Sequence, residues 1–325
     1  MARIVPSRHT IATVSVRDIG RRRRAALAAC VLAAAAAGGV AACGQGDGSR
    51  AGGAPSSRLV DLTKPPPLVN ALDVDPATQD FLLTTNRGFF RIARASGKVQ
   101  TVRGVARAGA KSAPVGAFLE IAATGPDRLV GSGHPDTKGA LPEFLGVMSS
   151  TDGGRTWRVI SRLGQTDVHK FVIKHDRLYA TDAATGTLLV SRDGGRTFGD
   201  AQYTPNGVLI GDFEVDPVDP RRIVAASDSE LFVSTDGGAA WQRLARGTGI
   251  RLAWPAPDAL YRALKDGSVQ RSSDRGVSWQ TAGRVGGEPY RFKAVSAEEL
   301  YLALSDGTIV HTRDGGRTWD EAFVP

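Results

Sequence analysis

Five copies of one turn signature at a near-constant period, β-branched alternation on both sides of each copy, and short Asp-Gly turns between them predict an all-β fold. The predicted architecture is a six-bladed β-propeller of four-stranded antiparallel blades. The copies run Ser150–Trp157, Ser191–Phe198, Ser234–Trp241, Ser272–Trp279 and Thr312–Trp319. Their aspartates, Asp152, Asp193, Asp236, Asp274 and Asp314, stand 41, 43, 38 and 40 residues apart. A period of that length means a solenoid, a propeller or an array.

Each copy sits where a strand must reverse. Thr308 to His311 alternates before the last copy, and Trp319 to Phe323 alternates after it. The Asp accepts hydrogen bonds from backbone N–H groups a few residues on. The Gly that follows supplies positive φ without steric cost, and the leading Ser or Thr bonds the same turn through its hydroxyl. The closing Trp is expected to bury its ring. Four of the five Trp are spent this way and Phe198 replaces the other, which favours packing over a sugar-lining role.

Blade by blade, the last unit is the best formed. Arg291 to Val295 is the inner strand, Glu299 to Leu304 the second, Thr308 to Thr312 the third and Trp319 to Phe323 the fourth. Leu260 to Leu264 and Arg222 to Ala226 repeat the second strand. Asp73 to Pro76 and Glu214 to Pro217 are equivalent first turns. The first blade has lost its signature, and Ala93 to Lys98 turns the chain instead. Val60 to Leu62, or the segment at Leu68, is expected to add a strand to the last blade and close the ring, since an open ring exposes sheet edges. At about 40–45 residues per blade, the stretch from Leu59 to Pro325 holds six. Five blades with a cap, or a linear solenoid, are the alternatives.

The N-terminus lies outside this fold. Arg21 to Arg24 is a basic head, Ala25 to Ala42 carries no charge, and Val40-Ala41-Ala42 precedes Cys43. Those are the marks of an export signal, with an uncleaved transmembrane anchor as the alternative. The domains expected are a lipoprotein signal over residues 1–42, a flexible Gly/Ser tether over 43–58 and the propeller over 59–325. Sec and Tat export both remain open, as do later starts at Val14 or Val16. The chain carries a net charge of +8, but removing residues 1–42 takes away seven Arg and one Asp, leaving 34 basic and 32 acidic side chains. The global charge therefore gives no ground for nucleic-acid binding. Cys30 lies in the signal and Cys43 at its end, so no disulfide, thiolate zinc site or Cys nucleophile is expected. No His-Glu-x-x-His motif or phosphate-cradling Gly loop occurs, and neither a metal nor a cofactor is expected.

Turns between first and second strands and between third and fourth share one face of the disc. The remaining turns and the links between blades share the other, where propeller ligands usually sit. On that second face the turn from Gly131 to Phe144 is unusually long, and inserted loops on rigid scaffolds tend to carry function. His134, Asp136, Lys138 and Glu143 are its candidate contacts, set against a solvated insertion. The links add Asp167, His169, Lys170, Asp212, Arg251, Glu288, Tyr290 and Arg291.

The repeated turn resembles the Asp-box, or BNR repeat, of bacterial sialidases, sortilin-type receptors, xyloglucanases and photosystem assembly-factor propellers. Val40-Ala41-Ala42-Cys43 resembles the bacterial lipobox, in which Cys43 becomes the lipid-bearing first residue. Together with Gly133-His134-Pro135-Asp136, these features look like a group of exported actinobacterial BNR-repeat proteins described as exo-alpha-sialidase or glycosyl hydrolase. The resemblance implies a lipoprotein on the extracytoplasmic face of the membrane, with the five box aspartates in a structural role. It leaves two functions open: a binding or scaffold module for a glycan, peptide or protein partner, monomeric and without catalysis, or a sialidase-like hydrolase. The second implies three arginines on a carboxylate, a Tyr–Glu nucleophile pair and a Phe-Arg-Ile-Pro signature. Phe90-Arg91-Ile92-Ala93 lacks the proline and falls in a third strand, and Tyr290 near Glu288 is a weak counterpart of the nucleophile pair.

Overall fold

The computed structural model describes residues 68–136, 140–200, 202–204, 208–247 and 250–325. The export segment, the tether with Cys43, Val60 to Leu62, and Lys138 all lie outside the described residues.

Every regular element among the described residues is a strand. The first blade is β1 (Val69–Val74), β2 (Phe81–Thr85), β3 (Gly88–Ile92) and β4 (Val99–Val102). Next come β5 (Val105–Ala108), β6 (Lys111–Gly125), β7 (Arg128–Pro135), β8 (Val147–Ser150) and β9 (Thr156–Ser161). Then follows a blade of β10 (Val168–Lys174), β11 (Arg177–Asp182), β12 (Thr187–Ser191) and the short β13 (Gln202–Tyr203). Another holds β14 (Asp212–Val215), β15 (Ile223–Ala226), β16 (Glu230–Ser234) and β17 (Gln242–Arg246). The last two hold β18 (Arg251–Ala256), β19 (Ala259–Ala263), β20 (Ser268–Ser272) and β21 (Gln280–Arg284), then β22 (Pro289–Ala294), β23 (Leu300–Leu304), β24 (Ile309–Thr312) and β25 (Asp320–Phe323).

The four-stranded blades therefore number five, and the expected six is corrected. The cause is the second sector of the ring. There β5 and the first half of β6 form an extra hairpin, and β5 returns alongside β9 in parallel, Val105 opposite Thr156 and Ala106 opposite Trp157. The five strands β5 to β9 close into a small barrel. Trp157 fills it, fully buried, 5.2 Å from the Phe118 ring. Gly131 faces that indole, and a Cβ there would lie 2.7 Å from a Trp157 ring carbon. The Gly131–Phe144 turn is shorter than expected, because Gly131 to Pro135 belongs to β7.

The innermost strands β1, β6, β10, β14, β18 and β22 pack side by side around a central channel, and β22 returns to β1. An apolar core fills each of the six junctions. Closure does not use a strand from the Leu68 segment. Leu68 is exposed and merely precedes β1, while the C-terminal β25 supplies the outer strand of the last blade. The ring closes through buried side chains instead, with Phe81 of β2 edge-on to Tyr301 of β23 at 5.2 Å.

The five repeated turns are near-copies of one another. The hydroxyls of Ser150, Ser191, Ser234, Ser272 and Thr312 donate to their aspartate Oδ1 at 2.7–2.8 Å. The same oxygens accept the N–H of the glycine four residues on. Those glycines hold φ between +88° and +99°, a region open to glycine and strained for other residues. Each aspartate then accepts the N–H four positions ahead. Only Trp157 is fully buried, however. Phe198, Trp241, Trp279 and Trp319 lie half-buried just before the outer strands, which corrects the expected burial of each ring. Outside the barrel, no further strand covers them.

Candidate functional site

Inner strands of a closed ring turn their free edge to the channel, so their backbone N–H and C=O groups need partners there. Here polar side chains of each neighbouring blade supply them. Asp73 of β1 accepts the Ala123 N–H of β6 at 2.7 Å, and Asp212 of β14 accepts the Leu252 N–H of β18 at 3.0 Å. Asn70 donates to Phe118 O at 2.8 Å and Arg251 to Tyr290 O at 2.7 Å. Arg291 Nε donates to Asn70 O, across the junction that closes the ring. Lys174 spends its ammonium on Glu214, Val215 O and Trp254 O at 2.7–2.9 Å.

Ion pairs reinforce this girdle. Lys170 meets Asp212 at 3.0 Å and Lys293 meets Asp73 at 2.6 Å. Burial works against the Lys170 charge, yet Asp212, Glu214 and Glu120 outweigh it and hold its pKa above the ordinary lysine value. Glu120 stands apart. It is 6% exposed and in no ion pair among the described residues. Burial pushes its pKa up to about 8, against the opposing pull of Lys170 and Arg291. At neutral pH it is largely a neutral carboxylic acid.

The channel has two unlike ends. At the end where the links between blades enter, two guanidiniums lie over the Tyr290 ring, Arg251 at 5.3 Å and Arg291 at 5.0 Å from its centroid, and both donate to the Tyr290 carbonyl. Both arginines bond only backbone carbonyls, and among the described residues neither meets a carboxylate. Burial lowers the Arg291 pKa, but a guanidinium remains a cation there. Across the ring, at the same end, Asp167 lies between two imidazoles: His169 Nε2 at 3.2 Å and His134 Nε2 at 3.6 Å. The Asp167 carboxylate beside it raises the His134 pKa. The Asp167 carboxyl, though partly desolvated, is held low by both histidines.

Thus His134 gains partners that sequence spacing had not suggested, Asp167 and the edge of Phe144 at 5.6 Å. Glu143 is exposed and its charge adds to the upward shift of His134. Asp136 is exposed, with its N–H bonded to Pro114 O. Arg251, Tyr290 and Arg291 come together as one cluster, which no bond joins to that of His134.

The turn end carries a cavity. Of about 570 Å³, it runs from Glu120 and Lys170 to Pro76, Pro126 and Pro255 at the ends of the inner strands. Its mouth therefore lies on the same face as the repeated turns, and not on the link face where a ligand was expected. Neither Glu120 nor its cavity was legible in the sequence. Glu120 sits in an unremarkable strand, and only the barrel that lengthens β6 places it at the channel waist.

A Tyr–Glu pair does exist, away from both ends. Tyr301 donates to Glu299 at 2.6 Å, Arg94 meets the same carboxylate at 2.8 Å, and His311 stacks on the Tyr301 ring at 4.7 Å. Tyr301 is fully buried between the last and first blades, and burial raises its pKa. Such a phenol is a poor nucleophile. Tyr179 and Tyr261 hold the equivalent place on their second strands and bond carbonyls of the next blade, so the position serves packing. Glu288 pairs with Lys265 at 3.6 Å instead of with Tyr290. Arg91 sits on the turn side with Asp75 at 2.9 Å and Asp127 at 3.0 Å. Among the described residues, no group of three or more His, Cys, Asp and Glu is arranged to hold a metal ion.

No family model matches the chain, and no curated protein matches it. Solved structures do. YCF48 from Cyanidioschyzon merolae is 16% identical with a TM-score of 0.48, over 79% of this chain and 85% of that one. YCF48 bound to D1 peptide is 15% identical with a TM-score of 0.50, over 79% of this chain and 81% of that one. An ancestral GH74 enzyme is 15% identical with a TM-score of 0.51, over 76% of this chain but only 37% of its own. At these identities what is shared is the fold. The chain is an all-β, propeller-like ring of small antiparallel sheets.

Proposed function

We propose that this chain is a binding propeller without catalysis, which takes an acidic glycan, peptide or protein at the link end of its channel. The observation that carries this reading is the pair of guanidiniums of Arg251 and Arg291, both held on the Tyr290 carbonyl beside its ring and neither in an ion pair among the described residues. Preset cations with backbone-fixed geometry favour carboxylate or sulfate groups, and an aromatic face beside them favours a sugar ring or a planar side chain. The repeated turns act as Asp-boxes that fix the scaffold. Lipidation at Cys43 would hold the ring near the outer face of the membrane, where such partners are met.

A second reading, a sialidase-like hydrolase, draws support from Glu120, whose proton is retained near neutral pH as a general acid requires. Against it, no third arginine joins Arg251 and Arg291 among the described residues, and Tyr301 is sealed between blades. Arrays of sialylated, uronic-acid and sulfated glycans with acidic peptides separate the two. The binding reading expects retention that Arg251→Ala abolishes, with no turnover of a fluorogenic sialoside. Turnover of that sialoside would replace it with the hydrolase. Cys43→Ala is expected to release the protein from the membrane fraction, and continued retention would favour a transmembrane anchor.

A further inference from the structure

The turn-end cavity is a different site from the arginine pair and calls for a different ligand. Its walls are apolar: Phe171, Val172, Ala253 and Phe292 line them. Exposed Ile173 is part of the lining, together with the prolines at its mouth. Most of the charged groups at its outer end are paired, although Lys293 keeps exposed N–H groups beside its bond to Asp73. Asp73 holds Lys293, and Lys174 has used all three of its N–H groups. At the inner end the situation reverses. Glu120 Oε1 accepts the Ile121 N–H at 3.1 Å, but Oε2 takes no hydrogen bond from any described residue. Lys170, whose charge is the strongest acting on Glu120, has one partner, Asp212, and two N–H groups to spare.

We propose that this cavity binds a linear monocarboxylate of medium chain length, its head at Glu120 and Lys170 and its alkyl chain directed to the proline mouth. The head needs two donors, and the site has two. Glu120 Oε2–H donates to one ligand oxygen, so that a single proton is shared between two carboxyl groups, and Lys170 neutralises the remaining charge. Oε2 opens into the cavity that Glu120 lines, and the ligand head replaces water there as its partner. The alkyl chain replaces water against apolar walls. The volume falls in the range of ordinary small-molecule pockets and leaves room for the chain.

Proton sharing sets a pH dependence. The groups facing Glu120 are Lys170 from β10, Asp212 from β14, Asp73 from β1 and Arg291 from β22. None of the cations is expected to lose its proton below about pH 9, so Glu120 governs binding there. Once it ionises, its carboxylate and that of the ligand repel each other.

The test is calorimetric titration of the full chain with sodium hexanoate, octanoate and decanoate. Affinity is expected to rise about fourfold per added methylene. It is expected to fall about tenfold between about pH 7 and about pH 9, as Glu120 loses its proton. Glu120→Gln, which keeps a neutral donor, is expected to bind octanoate at neutral pH and to lose the pH dependence. Thr124→Trp, at an exposed position in the mouth, is expected to weaken octanoate at least tenfold (about 1.4 kcal/mol) without touching the core. Affinity independent of chain length, unaltered binding by Thr124→Trp, or a Glu120→Gln profile that still follows the wild type would each overturn the proposal. Arg251→Ala is expected to leave the octanoate titration unchanged, so a failure at the arginine pair is read separately.

Discussion

Asp314, in the last repeated turn, bonds only residues within four positions of itself, whereas Asp212, in the channel, bonds Leu252 on the next blade and Lys170 on the one before. The two side chains are chemically the same. The turn acid lies in water and collects local N–H and hydroxyl donors, which lower its pKa, the Thr318 hydroxyl first. The channel acid is 2% exposed and ties three blades together. Glu120 is the extreme of the second kind, an acid so enclosed that it keeps its proton. Position in the ring, not residue type, decides whether a carboxylate closes a turn, clamps blades or waits for a ligand.

The widest separation between the two settings is expected in their response to pH, and Glu120 carries it. Its pKa rises from 4.5 to about 8 on folding. Between those values the folded chain holds a proton that the unfolded chain has released. Stability therefore falls as pH rises through that window and levels off above about 8. The upper bound is about 5 kcal/mol over the whole window. Unfolding free energies of the wild type and Glu120→Gln, measured from about pH 5 to about pH 8, are expected to diverge with rising pH, the variant becoming the more stable. The upward shift of His134 is common to both proteins and drops out of the difference. Parallel curves would mean that Glu120 is ionised in the folded ring.

Next in size is the clamp itself. Asp212→Ala is expected to cost about 3–5 kcal/mol, because it strands the Lys170 ammonium and the Leu252 N–H in a buried setting. Urea unfolding of this variant beside Asp314→Ala tests the comparison directly. Equal losses would place Asp212 in the same local role as the turn acids.

The contrast also explains what the sequence could reveal. The repeated turn was legible because its partners lie within a few residues, so spacing alone encodes the geometry from Ser150 to Trp157 and in its four relatives. The alternating strands of the last blade were legible for the same reason. Channel partners stand a blade or more apart, as with Asp73 and Ala123 or Lys174 and Trp254, and nothing in local spacing announces them. Arg251, Tyr290 and Arg291 were picked out one by one as polar link residues. That both arginines meet at one ring follows only from the packing of β18 beside β22. The sixth blade was misread because Val105 to Val115 carries ordinary strand alternation. Whether such a segment adds an outer strand or folds back beside β9 depends on Trp157 and the space that Gly131 leaves for it.

The smallest effect is expected at the turn acids, and it carries the opposite sign from Glu120. In Asp274 the Ser278 hydroxyl, the Ser278 N–H and the Ser272 hydroxyl together lower the carboxyl pKa to about 2. The folded chain then holds fewer protons than the unfolded chain between about pH 4 and about pH 2, so the stability this acid contributes is present above that window and is lost as pH falls through it. Water screens the exposed group and keeps the contribution small. Asp274→Asn is expected to unfold at nearly the same acid midpoint, with a shallower loss of stability on the acid side. Asp314→Ala is expected to lower the melting temperature slightly at neutral pH and to leave glycan retention at Arg251 unchanged. Thermal scans from about pH 2 to about pH 7 on both variants check this. A variant that melts as the wild type does at every pH would show that the hydroxyl and glycine of the turn hold its shape without the acid.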